Sequence, residues 1–175
     1  MSECNEVLTY RKSVPSEVIE VGDIIMLDPN TSCITRAVAE HRYDFALNSK
    51  LVIGVCVWSS NSGPVPIIID GGTAEDEDKK EITGGLSDSI QTIIIEGGEG
   101  HQFNREIIKI AYTGRQLVNI CGYVNIGDKL CISETPGKAK SKDFLDGEYY
   151  YSRTIGKVIQ FTNNRNQVIA LLDIE

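Results

Sequence analysis

The side chains in this chain that are equipped for chemistry are few and scattered. His41 and His101 are its only histidines, and neither has a Cys or His partner at the spacing of a metal site. His101 lies in the loop-like "GEGHQFN". The five cysteines, Cys4, Cys33, Cys56, Cys121 and Cys131, contain no C-x-x-C pair. Cys56, Cys121 and Cys131 fall inside apolar runs, where a thiol acts as a small hydrophobe. The acidic run Glu75-Asp76-Glu77-Asp78 lacks both the Asp-x-Asp-x-Asp-Gly order and the downstream Glu of a calcium loop, so it reads as a solvated loop. "GGLSDS" and "EGGEGHQ" are glycine-rich but match neither phosphate-cradling pattern. These patterns predict no catalytic residue, no cofactor and no metal.

A second kind of signal is a motif used twice. In "EVGDIIMLDPNTSCITRAV" and "NIGDKLCISETPGKAKSKD" an apolar residue precedes Gly-Asp, namely Gly22-Asp23 and Gly127-Asp128. A short apolar run follows each, then a Pro-containing turn at Asp28-Pro29-Asn30 and at Thr135-Pro136-Gly137. Further on comes Ile53-Gly54-Val55 in the first copy and Ile155-Gly156-Lys157-Val158 in the second. Glycine supplies a backbone conformation that other residues resist, and an Asp side chain bonds back to nearby N–H groups. Glycine within an apolar run marks a bulge or a close backbone approach. Gly22, Asp23, Gly54, Gly127, Asp128, Pro136, Gly137 and Gly156 are therefore expected to be structural corners of two related β units. The second copy also resembles, faintly, the hairpin of biotinyl and lipoyl carriers. It departs from that pattern because Pro136-Gly137 stands where the modified lysine belongs, with Lys138 and Lys140 following in an ordinary basic turn.

The elements that would position these corners are short Ile/Val-rich runs bounded by Gly, Pro, Asn or Asp, the pattern of an all-β domain. Ile24 to Leu27, Leu51 to Trp58, Pro66 to Ile69, Ile90 to Ile95, Ile107 to Tyr112, Leu117 to Val124, Ile155 to Phe161 and Val168 to Ile174 all read as strands. Val118, Ile120 and Val124 alternate with Leu117, Asn119, Cys121 and Tyr123, as in a half-buried strand. The run Leu51 to Trp58 is apolar on both sides and is expected to be central. Val38 to Lys50 reads as a loop or a short helix. The expected fold is a compact β-sandwich or barrel-like module. Residues 1–17 would form an N-terminal arm ordering against a neighbour, and residues 18–175 one β domain. Within that domain residues 18–69 and 105–175 would be the two units, with an acidic, glycine-rich excursion at 70–104 between them.

Bulk composition bounds the function. With 175 residues, 41% hydrophobic and 24% charged, the chain has enough apolar content for a core. Its net charge of −8 repels phosphate backbones and anionic lipid, so neither direct nucleic-acid binding nor membrane binding is expected. No apolar run approaches the roughly 20 residues that cross a bilayer, and Met1 to Glu6 lacks the features of a signal peptide. The thiols are accordingly expected to stay reduced.

The order of these pieces resembles a β module of bacteriophage virion proteins, found in capsid decoration proteins and in the C-terminal regions of tail-fibre and appendage proteins. The residues that carry the resemblance are Val21-Gly22-Asp23, Val52 to Val55, Gly114 to Ala139, Ile155 to Val158 and the terminal run Val168 to Ile174. It implies a non-enzymatic structural protein of the virion, made in the host cytoplasm. The narrower expectation is a decoration protein that trimerises on the capsid surface, partners the major capsid protein and stabilises the head. No long repetitive shaft is present, which favours decoration over a tail-fibre or receptor-binding module. Some relatives of the module cleave themselves at a serine just after the Val52 to Val55 run, where Ser59 and Ser60 stand here. Autocleavage or carbohydrate chemistry is the outside alternative.

Overall fold

The computed structural model describes residues 8–14, 16–60, 90–95, 106–142 and 152–174, with only the backbone of Arg42. Pro66 to Ile69, the acidic run Glu75 to Asp78 and His101 lie outside the described residues. Eleven strands and one helix are described in chain order. They are β1 (Leu8–Tyr10), β2 (Ile24–Leu27), β3 (Ile34–Arg36), α1 (Arg42–Ser49), β4 (Val52–Ser59), β5 (Ile90–Ile95), β6 (Glu106–Ala111), β7 (Thr113–Asn119), β8 (Lys129–Ile132), β9 (Ala139–Ser141), β10 (Gly156–Phe161) and β11 (Gln167–Asp173).

They form a six-stranded sheet in the order β1-β5-β6-β4-β2-β3 and a five-stranded sheet in the order β7-β11-β10-β8-β9. Among the described strands only β1 and β5 pair in parallel. Beyond β1, Lys12 makes a parallel bridge to Ile34 of β3, and beyond β7, Ile120 makes one to Ala139 of β9. Each sheet thus curls until its two edge segments touch, and the expected all-β, sandwich- or barrel-like class is the one observed.

Both faces of the first sheet are covered. Ile25, Ile34, Cys56, Ile93, Ile108 and Ile110 pack into one buried cluster. Ile24, Met26 and Val55 project the other way, into a larger cluster with Val118, Leu130, Ile132, Val158, Val168 and Ala170 of the second sheet. The alternation along β2 therefore has no polar phase, and central β4 is apolar on both sides for the same reason. Burying each of the Ile, Leu, Val and Met side chains among them is worth about 1.5–3 kcal/mol, which makes the shared cluster the main tie between the sheets.

The two sheets repeat one plan. Ile25 pairs with Gly54 and Arg36 in the first, as Leu130 pairs with Gly156 and Ser141 in the second. The closing bridges fall at matching places, on Ile34 and Ala139. The strand orders match when β3-β2-β4-β6 is laid on β9-β8-β10-β11 and β1 on β7. The one difference is that β5 stands between β6 and β1.

Some boundaries differ from those read in the sequence. Leu8–Tyr10 does not wait for a neighbour but adds to β5 of its own chain, where Leu8 and Tyr10 pack on the first cluster. The run Ile90 to Ile95 is an inner strand of the first sheet, fully paired with β6 over its length. β7 runs from Thr113 to Asn119 and so begins ahead of the apolar stretch at Leu117, with one glycine of positive φ inside it, Gly114 (+86°), and another beyond its end, Gly122 (+76°). Val38 to Lys50 contains a short helix whose first turn is held by the Asp44 carboxylate, which accepts the His41 N–H at 3.1 Å.

Candidate functional site

The motif residues converge on two turns of the same construction. At Glu20 to Asp23 the Asp23 N–H donates to the Glu20 carbonyl at 3.1 Å, and Asp23 Oδ2 accepts the Glu20 N–H at 2.9 Å. At Asn125 to Asp128 the corresponding distances are 3.0 and 2.8 Å. The third residue has positive φ in both, +96° at Gly22 and +94° at Gly127. Each glycine N–H then donates to the strand after the Ile-Gly pair, at the Cys56 carbonyl (2.7 Å) or the Val158 carbonyl (2.8 Å). The return bonds, Cys56 N–H to Asp23 and Val158 N–H to Asp128, are 2.8 and 2.9 Å. Gly54 and Gly156 occupy matching close approaches. A Cβ at Gly54 would stand 2.9 Å from the Ala111 carbonyl oxygen, and one at Gly156 would stand 2.7 Å from that of Leu171.

Among the described residues only the first of these turns is covered by the other unit. The Asn119 side chain, at the end of β7, donates to Asp23 Oδ1 at 2.9 Å and to the Val21 carbonyl at 3.1 Å. Its own Oδ1 accepts Gln167 Nε2 of β11 at 2.7 Å. Its backbone N–H donates to the Gly22 carbonyl at 2.9 Å. The β8–β9 turn closes over the same place: the Gly137 carbonyl accepts the Ile24 N–H and the Gly137 N–H donates to Ala37, both at 2.8 Å. Pro136, beside it, is exposed. Gly137 has φ +79°, and a Cβ there would stand 2.9 Å from the Asp23 carboxyl carbon. Arg36, held by Glu17 through Nε–Oε2 at 3.2 Å, lies against the same glycine. The outcome is a buried polar joint that locks the two sheets in one relative position. Burial holds the Asp23 carboxyl above its ordinary pKa, opposed by the hydrogen bonds from Glu20 and Asn119 and by the Arg36 charge.

Several of the described residues that chemistry would need are engaged in the frame. Cys56 and Cys131 are buried, and burial pushes their thiols up to about 12 and about 11, which keeps them protonated near neutral pH. Cys33 and Cys121 are half-buried free thiols. Ser59 is fully buried, and Ser60 Oγ accepts the Ile107 N–H at 3.0 Å. His41 sits at the start of α1. Lys140 pairs with Glu134 at 2.6 Å and lies over the Phe45 ring, 4.8 Å from its centroid, while Lys138 is half-buried. Among the described residues no group of three or more His, Cys, Asp and Glu side chains is placed to hold a metal ion. A cleft of about 260 Å³ is lined by Ser49, Val52, Arg153, Thr154, Ile155, Asp173 and Ile174. The Ser49 hydroxyl on its wall already donates to Ala46 and accepts the Arg153 N–H.

Asn119 and Gln167 are the members of the joint that the sequence reading did not single out. Their one signal is an amide set against apolar neighbours, Asn119 in the middle of "LVNIC" and Gln167 at the start of "QVIALL". A buried amide must find partners, so such a residue marks a contact between elements.

No protein-family profile matches the chain, and no curated protein matches it. Among solved structures it is similar to the crystal structure of the bacteriophage phi29 gene product 12 C-terminal fragment, at 15% identity and a TM-score of 0.43, over 97% of this chain and 100% of that one. At that identity and TM-score the likeness bears on neither the fold nor the function of this chain.

Proposed function

We propose that this chain is a structural protein of a bacteriophage virion and, more narrowly, a capsid decoration protein that cements the head shell. The family resemblance of the motif order motivates the reading. The observation that carries it is the use made of those motifs: Gly22-Asp23, Gly127-Asp128, Gly54, Gly156 and Gly137 all serve turns and close strand contacts, and none presents a reactive group. Such a molecule acts through shape and surface. Its partner is the major capsid protein, and its work is to add contact area across shell subunits, which raises the energy needed to pull them apart.

The test is direct. Purified protein added to expanded capsids that lack it is expected to bind at saturable stoichiometry and to raise the temperature of shell disruption in calorimetry. Binding to host cells or glycans with no affinity for capsids would instead place the protein in the tail as a receptor-binding module.

A further inference from the structure

The two units meet through different surfaces. The first unit contributes its Gly-Asp turn and the second contributes its hairpin tip, so one of each is left over. Among the described residues nothing covers the leftover turn. A Cβ at Gly22 would strike Asn119 at 2.6 Å, whereas one at Gly127 would meet nothing within 4 Å. Beside Gly127, Ile126 is 52% exposed and Tyr123 92% exposed. On the adjacent strands Lys129 and Lys157 stand directly opposite each other, both exposed, where the first unit has the buried pair Ile24 and Val55. Like charges in that position repel.

The leftover tip is the β2–β3 turn, and it has the build of the tip that makes the inner contact. Asp28 Oδ1 accepts the N–H two residues on, as Ser133 Oγ does in the β8–β9 tip. Ser32 has φ +61°, in the place where Gly137 has +79°. Pro29, Asn30, Thr31 and Ser32 are all exposed.

We propose that the Gly127–Asp128 face receives the β2–β3 tip of a second copy of this chain, repeating between molecules the contact that the β8–β9 tip makes on Gly22–Asp23 within one. Side-chain sizes fit the substitution. At the inner contact Gly137 is pressed between Asp23 and Arg36, at 2.9 and 3.2 Å from a notional Cβ, which leaves room for no side chain. On the bare face the residue in the place of Arg36 is Ser141, whose hydroxyl is turned onto Asp128 Oδ2 at 2.9 Å. The incoming tip carries Ser32 in the place of Gly137, so a larger tip residue meets a socket lined by a smaller side chain. Charge fits as well: the tip brings the Asp28 carboxylate, held ionised by the Asn30 N–H, toward a face that displays Lys129 and Lys157. Because two different surfaces meet, copies add head to tail, closing into a ring where the rotation permits and extending into a filament where it does not.

Sedimentation of the full chain over a rising concentration series is expected to show a concentration-dependent oligomer. A double variant, Tyr123→Ser with Ile126→Asp, should be monomeric with an unchanged melting temperature, since both side chains are exposed. A disulfide test fixes the pairing. In a background with Cys4→Ser, Cys33→Ser and Cys121→Ser, one preparation carries Asn30→Cys and another Ile126→Cys. After mild oxidation the mixture should give a cross-linked dimer at least tenfold above either preparation alone. A wild-type chain that stays monomeric throughout, a double variant that assembles like wild type, or a dimer formed by the Ile126→Cys preparation alone would each overturn the proposal.

Discussion

Gly22 and Gly127 offer a controlled comparison, because they share a backbone conformation and differ in what surrounds them. Their φ values are +96° and +94°, so alanine at either site carries the same left-handed penalty of about 1–2 kcal/mol. Within one chain that is the whole cost at Gly127, since the added methyl meets nothing within 4 Å among the described residues. At Gly22 the methyl would lie 2.6 Å from Asn119 Oδ1 and 2.8 Å from its Cγ, so the Asn119 side chain must leave. With it go the bonds to Asp23 and Val21 and the one from Gln167, each worth a net ~1 kcal/mol and more where a buried partner is stranded. Gly22→Ala should therefore destabilise by a further ~2–3 kcal/mol beyond Gly127→Ala. In a chain of this length that difference corresponds to about 5–10 °C in melting temperature. Urea unfolding followed by Trp58 fluorescence, with unchanged m-values, would measure both. Equal losses at the two sites would refute the idea that the Gly22 turn is clamped by Asn119 while the Gly127 turn is bare.

Two further outcomes follow from the same geometry. Asp23 has its pKa raised by burial, so its contribution to stability is complete below the ordinary 3.8 and is lost as pH rises through the raised value; Asp28, lowered mainly by the Asn30 N–H, has the opposite sign and contributes above 3.8. Carboxyl-carbon NMR titration should place the Asp23 midpoint above 3.8 and the Asp28 midpoint below it, and the reverse order would contradict the structure. For the thiols, a disulfide-exchange reagent at pH 8 should modify Cys33 and Cys121 in the folded protein while leaving Cys56 and Cys131 intact until urea unfolds it, as peptide mass mapping would show.

What the sequence by itself determined is the local geometry. The run Ile24 to Leu27 is β2 and Ile90 to Ile95 is β5, because β-branched side chains bounded by turn residues leave the backbone few other choices. The two Gly-Asp pairs were legible for a similar reason: a positive φ and a carboxylate that bonds back three residues are properties of a few consecutive residues. The duplication was legible too, as a repeated order of turns and strands. Tertiary structure alone decided how the copies meet. Nothing in "VGD" or "IGD" distinguishes a clamped turn from a bare one; that depends on Asn119 and Gln167, which arrive from strands distant in the chain. The insertion of Ile90–Ile95 between β1 and β6, and the return of Leu8–Tyr10 to its own sheet, were likewise unreadable. Strand partners are chosen by long-range packing, and an apolar strand carries the same pattern whichever edge it joins.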